Sequence, residues 1–238
     1  MMYLCRLTLK RTPSARALAA LIDPTRDGQR MGAQHRLIWS AFAGDPEVRR
    51  DFLWRDMGRG QFMVLCARKP EAAELFEPPE VKPFAPALAP GDRLRFVLRA
   101  NATRTVTEAD GRKRHRDVVM EALKPIPGRK DLPEGARSQR APMRLALAQE
   151  AGHRWLERQG KRAGFQVRNC GVSAYRVVRI PDPKKLLHPR ESQDRRFGIL
   201  DFEGVLELAD PVGFLACLTR GFGRAKAFGC GLMLIRRC

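Results

Sequence analysis

A glycine-rich stretch near the C-terminal end places the strongest constraint on the backbone of this chain. Residues 221–231 read GFGRAKAFGCG, with four glycines between a predicted helix and a predicted strand. Glycine adopts positive φ and lets a ligand approach the main chain closely, so such a loop can expose its amide groups. Arg224 and Lys226 add positive charge beside those amides. The pattern favours a phosphate ligand, although a helix end followed by a tight turn would use the same glycines.

The charge of the chain indicates the same class of ligand. Lys and Arg number 45 against 26 Asp and Glu, which gives a formal net charge of +19, and 35 of the 45 cations are arginine. The planar guanidinium suits phosphate and stacks on bases. A GC-rich genome would explain the choice of arginine over lysine but not the net excess of cations. We therefore expect a polyanionic partner.

The cysteines and the N-terminus indicate a reducing cytoplasm. The six cysteines are scattered through apolar stretches, with no Cys-x-x-Cys pair and no histidine at zinc spacing, so we expect reduced core residues. The first ten residues lack the apolar run of a signal peptide, and no segment reaches the roughly 18 apolar residues of a membrane span. We expect a cytoplasmic protein without a membrane partner, a metal or a cofactor.

Hydrophobic periodicity predicts a strand and a helix at the start of the chain. Residues 3–10 alternate between apolar and polar side chains, the period of a strand with one buried face. His35, Ile38, Trp39 and Phe42 then recur on one face of a helix that His35 is expected to open. A second short helix is predicted to begin at Asp45-Pro46-Glu47, where aspartate can cap and proline suits the first turn.

The next part of the chain is predicted to form a hairpin, a connector and a strand. Residues 52–55 and 61–68 flank a glycine-containing turn, which is typical of a β-hairpin. A brief helix is predicted near residues 72–76, within a stretch from Pro70 to Pro90 that holds six prolines and is expected to be a connector. A strand is predicted over residues 93–100.

This strand separates apolar from cationic side chains. Leu94, Phe96 and Leu98 alternate with arginines, so the opposite face carries Arg93, Arg95 and Arg99. An arginine-rich sheet face suits nucleic acid. Charged side chains also protect sheet edges from unwanted pairing, and both interpretations stay open.

The order strand, helix, hairpin, short helix, strand is the βαββαβ plan of a ferredoxin-like domain, and the second half of the chain is predicted to repeat it. Its predicted elements are a strand pair within 103–120, a helix over 143–159, strands over 165–180 and 197–208, a helix over 210–219 and a last strand over 232–235. The segment 125–140 is expected to be mobile, and a basic loop is expected over 184–196. We therefore predict an α+β fold with two tandem ferredoxin-like (βαββαβ, RRM-like) domains, residues 1–101 and 102–238.

The four histidines are the side chains that titrate closest to neutral pH. His115 lies in a basic hairpin, His153 on a helix among arginines, and His188 in a loop. His35 differs, because it is expected at the first turn of a helix beside Arg36. A partly buried structural histidine remains an alternative to a catalytic one.

Other catalytic motifs find no support in the sequence. The phosphate-loop, Gly-x-Ser-x-Gly and His-Glu-x-x-His patterns are absent, and no acidic cluster suits two magnesium ions. A metal-free reaction on a polyanion remains possible. RNA suits it, since its own 2′-hydroxyl can attack the adjacent phosphate when a base removes the proton and an acid protonates the leaving oxygen.

Taken together, the motifs resemble the CasE family, the endoribonucleases that process CRISPR repeat RNA in type I-E systems. The matching stretches span nearly the full chain in the family's order: residues 2–4, 34–42, 94–101, 202–206 and the glycine loop 221–231 running into Leu232. The glycine loop alone also resembles the wider group of CRISPR RNA-binding proteins.

The resemblance implies metal-independent cleavage at the 3′ base of a repeat stem-loop, leaving a 2′,3′-cyclic phosphate and a 5′-hydroxyl. It also implies that the enzyme retains its crRNA product and joins the other subunits of Cascade. The family's catalytic histidine falls on His35, the following cation on Arg36 and the loop lysine on Lys226. Family members often carry a tyrosine three residues before the histidine, where this chain has Gly32.

The predicted site therefore has two parts. His35 would act as general acid or base, with Arg36 stabilising charge on the phosphate together with Arg224 or Lys226. The predicted RNA-binding residues are Arg93, Arg95, Arg99, Arg104, Arg112, Lys113, Arg114, Arg116, Gly223, Arg224, Lys226 and Gly229. Two alternatives stay open. One is a non-catalytic RNA-binding subunit of a CRISPR complex, and the other is a double-stranded DNA binder, which only the net positive charge supports.

Overall fold

The computed structural model describes residues 1–13, 21, 24–42, 50–125, 140–182 and 194–238. The helix start predicted at residues 45–47, most of the segment 125–140 and most of the basic loop 184–196 lie outside these residues. The described chain contains two four-stranded sheets and one separate two-stranded hairpin. It groups into two compact units: residues 1–87 with 178–196 and 225–232, and residues 88–177 with 197–224 and 233–238.

The sheet of the first unit follows the ferredoxin-like strand order. Its elements are β1 (Tyr3–Thr8), α1 (Asp27–Ser40), β2 (Phe52–Gly58), β3 (Gln61–Cys66) and β4 (Glu80–Pro83). The spatial order is β2-β3-β1-β4, with β1 antiparallel to both β3 and β4. Numbered along the chain, this is the 4-1-3-2 arrangement that βαββαβ connections produce. The hairpin predicted between β2 and β3 is confirmed, with Arg59 and Gly60 at positive φ in its turn.

The second unit repeats the arrangement and adds the small hairpin. Its elements are β5 (Arg93–Ala100), β6 (Thr103–Thr107), β7 (Lys113–Asp117), α2 (Val118–Ala122), α3 (Arg140–Ala163), β8 (Phe165–Ile180), β9 (Arg195–Leu208), α4 (Pro211–Arg220) and β10 (Met233–Arg237). The sheet order β10-β5-β9-β8 is again 4-1-3-2. Strands β6 and β7 pair only with each other among the described strands. The predicted α+β fold with two ferredoxin-like repeats is confirmed.

The strand at 93–100 was predicted to be the last strand of the first ferredoxin-like domain, and this assignment is wrong. Strand β5 pairs with β9 and β10 and so opens the second sheet, while β4 supplies the fourth strand of the first. All four residues of β4 are exposed, so it shows no alternation of buried and exposed side chains. Its last residue is proline, which an edge strand tolerates. The limits of the two units therefore differ from the predicted division at residue 101.

Two smaller predictions also need correction. The brief helix near residues 72–76 is a turn whose Phe76 forms a bridge with Leu9 and is 2% exposed. On the helix predicted over 143–159, the apolar spacing of Leu145, Trp155 and Leu156 predicts one buried face, but Leu145 is 46% exposed while Trp155 and Leu156 are buried.

Each unit has its own apolar core. In the first, Leu37 and Ile38 of α1 pack with residues of β1, β2 and β3, including Trp54 and Phe62. In the second, the ring of Trp155 stacks on Phe202, with centroids 5.7 Å apart. Four of the six predicted core cysteines are buried, but Cys217 is half-buried and Cys238 is exposed. No helix among the described residues is long and apolar enough to cross a membrane.

Candidate functional site

His35 lies in the middle of α1, at the border between the core and the surface of the first unit. The helix begins at Asp27, two turns before the predicted start, so His35 does not open it. Leu37 and Ile38 turn into the core, which leaves His35 half-buried and Arg36 exposed. The amphipathic pattern of α1 therefore holds the imidazole at a fixed place with one side open to solvent.

Two aromatic rings flank this imidazole. The centroid of Trp39, one turn further along α1, is 6.4 Å away in a stacked arrangement, and that of Phe228 is 5.9 Å away. Both rings are half-buried. They exclude water from part of the imidazole surface and restrict the orientations of its ring.

Burial and two guanidinium groups lower the pKa of His35. Desolvation is the largest cause, followed by the positive charges of Arg50 and then Arg36. Each of these disfavours the imidazolium form. His35 is therefore neutral near pH 7 in the free protein, so its unprotonated ring nitrogen can accept a proton.

The second half of the glycine loop packs against α1. Residues Lys226–Phe228 form one turn of 3-10 helix between Ala225 and Gly229, both in the left-handed region with φ of 53° and 72°. Trp54 Nε1 donates a hydrogen bond of 3.2 Å to the Ala227 carbonyl. A Cβ on Gly229 would lie 3.0 Å from the Trp54 ring, so both space and φ require glycine there. This packing places Lys226, which is half-buried, in the same unit as His35.

The first half of the loop approaches the backbone of Asn101 in the second unit. A Cβ on Gly223, whose φ is 78°, would lie 2.7 Å from the Asn101 carbonyl oxygen. The Arg224 amide donates to that same oxygen at 3.1 Å, and the Arg224 side chain is exposed. The turn interpretation thus accounts for Gly223 and Gly229 by packing alone, while Arg224 and Lys226 remain candidates for contact with a ligand.

Arg36 lies close to the position where the family often has a tyrosine. A Cβ on Gly32 would lie 3.9 Å from Arg36 Nη1, at ordinary van der Waals distance. The guanidinium thus lies beside the place that the first atom of a larger side chain would occupy. Arg36 has no ion-pair partner among the described residues.

The predicted arginines of β5 differ from one another in their partners. Arg93 pairs with Glu207 at 3.0 Å, and Arg99 is half-buried and pairs with Asp201 at 2.7 Å. Arg95 is exposed and has no ion-pair partner in the described part of the chain.

Most of the predicted cations of the β6–β7 hairpin are also paired. Arg114 and Arg116 contact Glu108 at 3.1 and 2.8 Å, and Arg104 contacts Glu121 at 3.0 Å. The hydrogen bond from Arg116 is the largest cause of a lowered pKa at Glu108, so this carboxylate stays ionised.

The turn of this hairpin is different. Arg112 lies 3.6 Å from Asp110 with 77% of its side chain exposed. Lys113 is exposed and has no ion-pair partner among the described residues. The most available charge of the hairpin is therefore at its turn.

The sequence patterns did not point to three residues of the His35 environment. Arg50 acts on the imidazole from outside α1, and Phe228 and Trp54 are brought to this region by the loop and by β2. Phe228 lies within the glycine loop, and no spacing rule connects it with His35. Only Trp39 could have been anticipated, because it is four residues from His35 on the same helix.

A family model described as CRISPR associated protein matches residues 2–237 of this chain. The chain belongs to this family. The resemblance to CasE inferred from the sequence is thereby confirmed by comparison across nearly the full length.

Individual members of this CRISPR-associated family match over the same length. The CRISPR-associated endoribonuclease Cse3 of Thermus thermophilus is 29% identical over 251 residues, 98% of this chain and 99% of that protein. A structure of Thermus thermophilus Cse3, bound to an RNA representing a pre-cleavage complex, has a TM-score of 0.62 at 26% identity and covers 99% of this chain and 98% of that chain. Cas6e from Escherichia coli, at 21% identity and a TM-score of 0.58, covers 99% and 100% and shows the shared fold.

Proposed function

We propose that this protein is an endoribonuclease that cleaves CRISPR precursor RNA at the 3′ base of the repeat stem-loop. The observation that carries the proposal is the environment of His35, a half-buried imidazole whose pKa is lowered by burial, Arg50 and Arg36. It lies on a fold shared with Cse3, for which a complex with pre-cleavage RNA is known. The reaction requires no metal in this proposal, because the nucleophile belongs to the RNA.

The neutral imidazole suits the role of general base. His35 accepts the proton of the 2′-hydroxyl at the scissile nucleotide, and the 2′-oxygen attacks the adjacent phosphorus. The bond from phosphorus to the 5′-oxygen breaks, and this oxygen takes a proton from solvent. The products are a 2′,3′-cyclic phosphate and a 5′-hydroxyl.

The cations stabilise the negative charge that gathers on the phosphate during the attack. Arg36 is exposed beside His35, and Lys226 lies in the same unit on the loop turn that packs against α1. Their charges are in place before the reaction, which is the condition for effective electrostatic stabilisation. Arg224 is a further candidate for contact with the RNA backbone.

The other predicted cations form the proposed RNA-binding surface. The N-terminal region carries the catalytic histidine and the C-terminal region the basic hairpin and the start of the glycine loop. We assign backbone contacts to Arg93, Arg95, Arg99, Arg104, Arg112, Lys113, Arg114 and Arg116. For about five neutralised phosphates, the slope of log affinity against log salt would be on the order of −3.5 to −4.5. The protein retains its crRNA, joins the other subunits of Cascade and acts in the cytoplasm.

The test is cleavage of the repeat RNA of the source organism in EDTA, with analysis of the product ends. We expect cyclic-phosphate and 5′-hydroxyl ends, and no cleavage when the 2′-hydroxyl of the scissile nucleotide is replaced by hydrogen. Cleavage of the deoxy substrate would show that another nucleophile acts and would overturn the mechanism. Tight RNA binding without any cleavage would instead identify a non-catalytic subunit.

A further inference from the structure

Two arginines of the second sheet face each other without a counter-charge. Arg95 of β5 lies directly opposite Arg236 of β10. Both side chains are exposed, and neither has an ion-pair partner among the described residues. Like charges opposite each other on antiparallel strands are destabilising. The pair thus lowers stability in the free protein, and a bound anion would relieve the repulsion.

Arg93 and Arg99 of β5, and Arg168 and Arg176 of β8, do have carboxylate partners. Arg93 and Arg168 share Glu207 at 3.0 and 2.8 Å. Hydrogen bonds from Arg168 and Arg93 lower the pKa of Glu207 to about 2, so its charge persists at any ordinary pH.

The second paired group lies further along the same strands. Arg99 and Arg176 share Asp201 at 2.7 and 2.9 Å. Between the two groups, the residue of β9 opposite Arg95 is Val205. On β9, Glu207 and Asp201 thus lie on either side of the position opposite Arg95, and that position itself holds an apolar residue.

The apolar residues near this pair line a groove. Val97, Val205 and Leu234 are half-buried side chains that line it together with Arg95, Arg236 and the exposed Glu203. Leu234 is the cross-strand partner of Val97, so the groove runs across β9, β5 and β10. A surface with an apolar floor and two guanidinium groups suits a ligand that has both an apolar ring and an anion.

We propose that this groove binds one nucleotide of single-stranded RNA, with its phosphate between Arg95 and Arg236. Neighbouring strands lie about 4.8 Å apart, so two guanidinium groups can reach oxygens of the same phosphate. The base covers Val97, Val205 and Leu234. An unpaired base is required, because bases in an RNA duplex are stacked and cannot lie on a protein surface.

This inference rests on the proposed function and deepens it. It adds Arg236 and the apolar floor to the binding surface, and it separates Arg95 from Arg93 and Arg99, whose charges are already neutralised. The chemistry of the groove identifies the ligand as a nucleotide outside the stem of the repeat.

The experiment compares two double variants that each remove two positive charges from the same sheet face. R95A/R236A removes the unpaired arginines, and R168A/R176A, the matched control, removes two that share carboxylates. The probes are the repeat hairpin alone and the hairpin with a single-stranded 5′ extension, both with deoxyribose at the scissile nucleotide to prevent cleavage. Dissociation constants are measured over a range of salt concentrations, with melting temperatures to check folding.

We expect R95A/R236A to raise the Kd for the extended RNA about tenfold and to reduce its salt slope by about 0.7, the value for one phosphate contact on a single strand. The Kd for the bare hairpin should stay within twofold, and the control should change both values by less than twofold. L234Q, which removes apolar contact without changing charge, should weaken binding of only the extended RNA, by a few-fold.

Equal losses for both RNAs, or for both double variants, would overturn the proposal in favour of general electrostatic attraction. Unchanged RNA affinity combined with lost assembly with other subunits would assign the groove to a protein and overturn it as well. Cleavage of the all-ribose hairpin by the wild type in EDTA, measured separately with saturating protein, tests the proposed function. If the wild type does not cleave this RNA, the proposed function fails, whatever the binding results.

Discussion

The region around His35 and the β6–β7 hairpin are two parts of the molecule that are rich in cations. They differ in whether carboxylates form ion pairs with those cations. Near His35, the charges of Arg50 and Arg36 disfavour the imidazolium form, and Arg36 has no ion-pair partner among the described residues. In the hairpin, Glu108 and Glu121 hold Arg104, Arg114 and Arg116 in ion pairs. A formal net charge of +19 counts both groups alike.

This difference shows that the formal net charge overstates the positive charge that is available to bind a polyanion. A paired arginine must exchange its carboxylate for a phosphate, so the net gain on binding is smaller than for an unpaired cation. Exposed ion pairs contribute little to stability, with typical values of about 0–1 kcal/mol, so they can be exchanged at low cost. We infer that the His35 region uses its charge for chemistry and that the hairpin presents its arginines in fixed orientations.

The largest effect is expected from His35→Ala. Single-turnover cleavage should fall about 100-fold or more, since a general base contributes at least this factor, while RNA affinity stays within a few-fold. The control is His153→Ala, a half-buried histidine near Glu157 on α3, which should leave both quantities unchanged. Equal losses of cleavage and binding in the His35 variant would show that the histidine is structural.

Lys226→Ala should have the next largest effect. Removing one positive charge beside the RNA backbone should raise the Kd about tenfold and reduce the salt slope by about 0.7–0.9. Cleavage at subsaturating protein should fall in proportion. The melting temperature should stay the same, as is usual for residues near the surface.

Lys161→Ala, which removes an exposed lysine from the last turn of α3, is the matched control for this change. Identical binding and cleavage for Lys226→Ala and the wild type across the salt series would show that the glycine loop is only a turn and does not contact RNA.

Arg50→Ala should change the pH dependence of cleavage more than its maximum. The Arg50 charge disfavours protonated His35, so its removal should raise the pKa of His35. If the neutral imidazole is the base, the rate rises with pH through this pKa, and the midpoint of that rise should move to higher pH in the variant. Arg50→Lys keeps the charge and should restore the midpoint. A rate that falls with rising pH over this range would assign His35 the role of acid.

The smallest effect is expected from Glu108→Gln. Neutralising this carboxylate releases Arg114 and Arg116 from a competing partner, so RNA affinity should rise by a few-fold. Glu150→Gln on α3 causes the same change in net charge next to Arg154 but releases neither Arg114 nor Arg116, and it should have less effect. If both variants bind RNA equally well, the pairing within the hairpin has no bearing on RNA affinity, and the comparison fails.

The repeated fold could be predicted from local patterns, with the exception of its strand pairing. The alternation in β1 and β5 and the periodicity of α1 depend on side chains close in sequence. Strands β1 and β5 appear where they were predicted, and α1 is present but begins earlier, at Asp27. The partner of β5 was predicted wrongly, because no local pattern distinguishes one sheet from another. Strand β4 could not be predicted, because all four of its residues are exposed and it has no buried face.

By itself, the sequence determined the order of most elements, the candidate histidine and the excess of cations, since these follow from residue types and short spacings. Only the tertiary structure decided which cations have partners, because Arg99 meets Asp201, and Arg93 meets Glu207, across more than 100 positions. It also decided the pKa of His35, through Arg50 and the burial of the ring. The physical reason is that electrostatic energies depend on distance in space and on exclusion of water, which sequence separation does not specify.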